Sequence, residues 1–298
     1  MTRPDDLPRM DTVTDTALAP HLDAVRDAER AAAAAGVVVR ELTELADLDQ
    51  VLHLYVRVWG RSDNPPMTLE LLRALTKAGN YVGGAFLPDG RLVGACVGFF
   101  HAPADDAMHS HIAAVDPAMT GRSVGFAVKL HQRAWALQRG VSDVAWTFDP
   151  LVSRNAHFNL VKLAARPVEY LPNFYGPMVD LINGADDTDR LLVRWRLLSP
   201  AVERACSAGA ASTPEPVPPD AAAAVGMGPD GAPVPGRMGA EVSLVAVPDD
   251  ISALRTSDPD LAHRWRTTVR DVLSELLADG ARITSFDRTA GYVVRRTP

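Results

Sequence analysis

The stretch HIAAVDPAMTGRSVGFAVK, from His111 to Lys129, decides how the rest of the chain is read. It begins as a strand that ends at Val115, passes through a tight loop holding Gly121 and Gly125, and opens a helix inside that loop. Such a segment presents an anion site. The first N–H groups of a helix have no partners within it, and the helix dipole puts partial positive charge at the same end. Small residues let the backbone close around a phosphate. The plain alternative is a connection without a ligand, because helix starts recur throughout α/β proteins.

Beyond the loop, Ser123 to Arg139 carries Ala127, Leu130, Ala134 and Leu137 on one helical face, with Gly140 in the C′ position. Val144–Phe148 then reads as a strand, Asn155–Ala164 as a helix, and residues 167–174 and 190–198 as two strands. Before the loop, Met108–Val115 is a strand, preceded by a hairpin of Tyr81–Leu87 and Arg91–Phe100 turning at Pro88, Asp89 and Gly90. Val37–Leu42 is apolar and β-branched, hence another strand. Asp47 to Trp59 has Leu48, Val51, Leu52, Tyr55 and Val58 at helical spacing, with Asp47 and Gln50 placed as a capping box, and Thr68–Ala78 predicts a second helix. The order βααβββαβαββ over residues 37–198 defines a mixed α/β domain rather than regular βαβ repeats.

Three further regions flank it. Residues 1–36 are polar, then alanine-rich, and read as a peripheral arm with a helix after Pro20. Residues 199–240 are rich in Pro, Ala and Gly, and Pro214, Pro216, Pro218 and Pro219 point to a linker. Residues 241–298 form a small α+β module of βαββ order. Its helix starts at Asp258-Pro259 and lines up Leu261, Trp265, Val269, Val272 and Leu276. The module is expected to dock on the main domain or on the second subunit of a homodimer.

The 298 residues are 47% hydrophobic with a formal net charge of -7, which disfavours nucleic acid as a partner. No apolar run approaches the roughly 20 residues of a membrane span, and the first 20 residues lack a signal-peptide core, so a cytoplasmic location is expected. Cys96 and Cys206 sit in unlike settings, so neither a disulfide nor a zinc site is expected.

The loop is similar to the signature of the GNAT superfamily of acyl-CoA N-acyltransferases, V-x-P-x-x-[RQ]-G-x-G-x-[GA]. Val115, Pro117, Gly121 and Gly125 fit it, while Thr120 stands where Arg or Gln is usual and Ser123 where Gly is usual. A shifted register through Arg122, Gly125 and Ala127 satisfies a looser form. A second GNAT element, N-x-x-A-x-x-L-Y-x-K-L-G-F, resembles Ser153 to Ala165. Ala156, Lys162 and Leu163 fit; Ser153, Leu160, Ala164 and Ala165 replace Asn, Tyr, Gly and Phe. The chain also resembles a longer bacterial subgroup with an appended C-terminal module, some members of which are linked with N-succinylation of amino acids.

The resemblance implies a mostly antiparallel sheet flanked by helices. It implies acetyl-CoA or another acyl-CoA such as succinyl-CoA as co-substrate, no metal, and direct attack by a primary amine of a small molecule such as an amino acid. The pantetheine arm would lie along Ala113, Ala114 and Val115, a backbone N–H there serving the developing oxyanion. The phosphates would meet Thr120, Gly121, Arg122, Ser123, Val124, Gly125 and Phe126, with Asn155 and Asn159 beside the arm.

His109 and His111 share a strand face and are candidate bases, with Glu169 and Asp149 as alternatives. The usual acid, a tyrosine, is replaced by Leu160, so Tyr170, Tyr175 or water would protonate the thiolate. Trp59, Arg61, Asp63 and Asn64 would meet the acceptor, and Arg190 and Arg194 could clamp a carboxylate. Histidines, tyrosines and arginines in these settings also serve as packing or surface residues. Leu160 keeps a second reading open: a non-catalytic GNAT-like module that binds acyl-CoA in order to regulate a partner.

Overall fold

A computed structural model describes residues 19–60, 62–102, 105–176, 186–209 and 213–296. The order expected for residues 37–198 is the order observed. It runs β1 (Val38–Glu41), α2 (Leu45–Trp59), α3 (Leu69–Lys77), β2 (Tyr81–Phe86), β3 (Leu92–Phe100) and β4 (Ala107–Val115). Then come α4 (Val124–Leu137), β5 (Asp143–Phe148), α5 (Ser153–His157), β6 (Arg166–Leu171) and β7 (Arg190–Arg196). The seven strands form one sheet in the order β1-β2-β3-β4-β5-β7-β6. Every pair is antiparallel except β4 with β5.

Helices cover both faces of the sheet, which is why β2 and most of β3 are buried on both sides. On one face Leu48, Val51, Leu54 and Tyr55 of α2 and Leu72 of α3 pack on Ala95, Val97 and Ala114. On the other, Ala127, Leu130 and Trp135 of α4 pack with Cys96, Met108 and Val144. Each fully buried Leu or Val contributes roughly 1.5–3 kcal/mol, so this two-sided cover supplies much of the stability.

Several expectations need correcting. Helix α2 starts at Leu45 after Glu44, which makes no side-chain cap. Asp47 therefore lies inside the helix and pairs with Arg40 at 2.7 and 2.8 Å, while Gln50 accepts from the N–H of Leu92. The capping box does not form. The alanine-rich segment is not a peripheral arm either: as α1 (Ala19–Ala35) it buries Ala24, Ala28 and Ala35 in the main core. Small side chains let it lie close against α4, and buried Arg133 of α4 reaches Asp27 and the carbonyl of Leu197.

The expected linker also carries structure. Ser199 caps α6 (Pro200–Ala208), and β8 (Ala222–Met227) and β9 (Pro233–Pro235) belong to a second sheet. That sheet has the order β11-β12-β10-β8-β9, with β10 (Val242–Val245), β11 (Arg282–Asp287) and β12 (Gly291–Arg295). The proline-containing β9 takes the edge, where a missing N–H is tolerated. Helices α7 (Ile251–Ser257) and α8 (Pro259–Ala278) complete this half, and the expected Asp258 cap is present.

The second sheet shares an apolar core with the first and is also tied to it by buried charge. Asp149, just past β5, accepts two bonds of 2.9 Å from Arg266 of α8 and one of 2.6 Å from Arg255 of α7. Asp186 receives both arginines as well, and Arg270 spans Asp187 and Asp189. Tyr292 donates to the carbonyl of Pro150 at 2.6 Å.

Candidate active site

The parallel pair β4–β5 is short. It runs from Ala107↔Asp143 to His109↔Ala145 and then stops. From Ser110 to Val115 no strand among the described residues lies beside that edge of β4. The sheet forks there, leaving β4 backbone groups for something other than β5 to meet.

A bulge sits at the mouth of the fork. Val97 faces Ile112 and Gly98 faces Ser110, so His111 is the extra residue of β4. Gly98 is needed opposite it, because a Cβ there would come within 2.6 Å of Met108 Cε and 2.9 Å of the His109 carbonyl. Tyr55 OH donates to the carbonyl of Ile112 at 3.4 Å.

His109 and His111 do lie on one side, with ring centroids 6.2 Å apart and both against Phe99. Burial pushes the His109 imidazole down to about 4, helped by His111, His101 and Lys129; burial also lowers His111. Phe99, His109, Ala145 and Arg194 are successive partners across β3, β4, β5 and β7, so their side chains leave the same face. Two strand spacings, about 10 Å, separate His109 from Arg194 across the small Ala145.

Past the fork, β4 leads into the loop. Asp116 accepts from Ala118 N–H and caps a short 3-10 turn, Pro117–Met119, while the Thr120 hydroxyl bonds back to the Pro117 carbonyl. Gly121 has φ 81 and Ser123 φ 59. Ser123 thus keeps the left-handed geometry of the glycine it replaces, and Ala164, at another glycine position of the GNAT pattern, does the same with φ 52. The Ser123 side chain makes no capping bond, and Ala127 N–H is the first to reach back, to the Ser123 carbonyl. The N–H groups of Val124, Gly125 and Phe126 therefore point out of the helix end, which has no acidic residue in its first turn. Thr120 to Ser123 are exposed; the side chains of Val124 and Phe126 are in the core, so those two residues offer only backbone. A diphosphate and an extended arm fit this donor set and fork.

The other expected residues divide. Tyr175 lies on the site face, its OH 3.2 Å from Thr147 of β5, with Arg190 over its ring at 5.2 Å. Trp59 ends α2 and packs edge-on against Tyr55. Arg194 and Asn64 are exposed. Asn155 is half-buried on α5, and Arg61 lies outside the described residues.

Asn159 is a correction. Instead of a surface helix there is a π-helical turn, Phe158–Lys162, in which Asn159 is buried and accepts from Trp146 Nε1 at 3.1 Å. Glu169 is exposed on edge strand β6, with β5 and β7 between it and β4, so it is not brought to the histidines. Asp149 is no base: burial opposes its charge, but Arg266 and Arg255 hold it far below the usual carboxylate range. Tyr170 is no acid, since burial and Asp189, to which it donates at 2.7 Å, push its phenol well up.

Sequence reasoning missed Lys129 as a site residue. Only 5% exposed, it donates to Ser110 Oγ at 3.0 Å and Gln132 Oε1 at 2.7 Å, and its ammonium lies 3.8 Å from the Trp146 ring centroid. A lysine on the apolar face of a helix was the available signal. No group of three or more His, Cys, Asp or Glu among the described residues is arranged to hold a metal ion. No helix among them is long and apolar enough to cross a membrane.

Residues 21–149 match the family model described as an acetyltransferase (GNAT) domain. Those residues form a GNAT acetyltransferase domain within the chain, which supports acyl-CoA-dependent N-acyltransferase activity in general. Solved structures are similar to it at low identity. The ribosomal-protein-S18-alanine N-acetyltransferase of Escherichia coli is 15% identical over 54% of this chain and 94% of its own, with TM-score 0.43. An N-acetyltransferase from Staphylococcus aureus Mu50 is also 15% identical, over 54% and 98%, at 0.44. A structure from Salmonella typhimurium that holds acetyl-CoA as its cofactor is 15% identical over 55% and 95%, at 0.45. No curated protein matches the sequence.

Proposed function

We propose that the protein transfers the acyl group of acetyl-CoA or succinyl-CoA to the primary amine of a small molecule bearing a carboxylate, such as an amino acid. The observation that carries this reading is the row His109, Ala145, Arg194 at the mouth of the fork. It sets a neutral imidazole and a guanidinium about 10 Å apart on one face, roughly the span between the amine and carboxylate contacts of a small acceptor.

Acyl-CoA, when bound, supplies an activated carbonyl and a thiol leaving group. The chain's own groups do the rest. The exposed N–H groups at the start of α4 and the loop Thr120–Gly125 hold phosphate. The β4 edge at Ala113–Val115 pairs with the amide-bearing arm and offers an N–H to the carbonyl oxygen. Arg194 receives the acceptor carboxylate, with Trp59 and Asn64 bordering the approach, and His109 takes the proton of the attacking amine, with His111 beside it.

Thiol release from acetyl-CoA or succinyl-CoA over a panel of amines tests the reading. Acceptors with a carboxylate should be consumed, and Arg194→Ala should raise KM for them about tenfold while leaving carboxylate-free amines alone. Absence of CoA binding by calorimetry, or thiol release indifferent to the amine offered, would overturn it.

A further inference from the structure

Lys129 stands where the two strands of the fork part. Its ammonium bonds Ser110 of β4 and lies on the ring of Trp146 of β5, and both residues are one step beyond the last paired rung, His109↔Ala145. A second indole, Trp195 of β7, is 5.5 Å away. Its hydrogen-bond partners, Ser110 and Gln132, are both neutral. The surrounding titratable groups are Cys96 of β3, 3.4 Å from Ser110 Oγ, and His109 on the opposite face. Burial lowers the Lys129 amine to about 8, with Cys96 acting weakly the other way.

The tyrosine slot of the second GNAT element is Leu160, buried in the same region. Its neighbour Asn159 holds the indole N–H of the very Trp146 that carries the ammonium. The proton donor missing from the helix is thus matched by a proton-bearing group reaching the fork from α4.

We propose that Lys129, acting through the Ser110 hydroxyl, protonates the thiolate that leaves during acyl transfer. This rests on the reading of the fork as the acyl-CoA site. The amine nitrogen forms a bond to the carbonyl carbon, the C–S bond breaks, and its electron pair stays on sulfur. Ser110 gives its proton to sulfur and takes one from Lys129 Nζ. His109 holds the proton lost by the amine, and solvent restores the ammonium. The sum is one amide, one thiol and one proton released from the acceptor ammonium.

The test uses the full chain with Lys129→Met and Ser110→Ala. Calorimetry with CoA comes first; if the wild type does not bind CoA, the site reading itself has failed and this proposal with it. With binding established, the thiolate absorbance of bound CoA is followed against pH. In the wild type the bound thiol should ionise at lower pH than free CoA, and in Lys129→Met that shift should vanish while affinity for CoA stays within about threefold. The kcat of both variants should fall about 10²-fold with little change in KM. A 4-nitrothiophenyl thioester, whose leaving group needs no proton, should be used equally by variants and wild type. Unchanged thiol ionisation in Lys129→Met, or equal losses with both donors, would overturn the proposal. Ser110→Ala keeps the lysine and guards against a folding defect in the other variant.

Discussion

At the scale of single residues, the site is built from groups held in the wrong state for water. His109 titrates at about 4, so it is neutral and able to accept a proton across the physiological range. The acid limb of kcat/KM should therefore move with the pKa of the acceptor amine; a fixed limb near 6.5 would argue against His109 as base. His109→Ala should lower kcat about 10²-fold. Because its folded value lies below 6.5, the unfolded chain takes up the proton first, and stability is lost as pH falls from 6.5 toward 4. Lys129 shows the opposite face of the same effect. Unfolded it keeps its proton to 10.5, but folded only to about 8, so stability rises between those values and the buried charge costs on the order of 3 kcal/mol at pH 7. Lys129→Met should then stabilise the fold at pH 7 by on the order of 1–3 kcal/mol, and by much less at pH 10, in urea titrations. Keeping a destabilising cation is what a catalytic role would explain.

At the scale of elements, the loop between β4 and α4 tolerates Ser123 at φ 59, a region costing a non-glycine residue roughly 1–2 kcal/mol. Ser123→Gly should leave that geometry in place, stabilise by roughly 0.5–1 kcal/mol after the entropy of glycine is counted, and tighten CoA binding measurably by calorimetry. A weaker complex would mean that the Ser123 hydroxyl itself contacts the ligand. This loop was legible in the sequence because Pro117, Gly121 and Gly125 punctuate it and the flanking periodicities are clean. The bulge at His111 was not, since an extra residue shows only against the strand it faces. The fork was equally hidden, because where β5 stops running beside β4 is decided by pairing in space. Asn159 misled for a local reason: a π-turn rotates the residues after its start, and the polar side chain enters the core to meet Trp146.

At the scale of the molecule, Asp149 is the most deeply engaged of the carboxylates that tie the two sheets together, taking bonds from both Arg255 and Arg266. Asp149 is 7% exposed and Arg266 wholly buried, so neither tolerates loss of the other. Asp149→Asn should cost about 3–5 kcal/mol in equilibrium denaturation, because it strands buried guanidinium charge. A cost below 1 kcal/mol would show that the arginines find other partners. The carboxyl is held far below the ordinary Asp range, so its contribution is fully present above that range and is lost progressively as pH falls from there into strong acid. From sequence, Asp149 looked like a base at a strand end, since nothing nearby announces partners 106 and 117 residues further on.

That separation has a consequence for how the protein is made. When β5 leaves the ribosome, Asp149 emerges as a bare anion in a segment destined to be buried, and Arg266 is not translated until 117 residues later. At roughly 5–20 residues per second the wait is about 6–23 s. Over that interval the end of β5, and with it the closed side of the fork, has no counter-charge from α7 or α8. A nascent chain arrested before residue 255 should therefore remain open to protease near residues 149–152, and release past residue 270 should close that window.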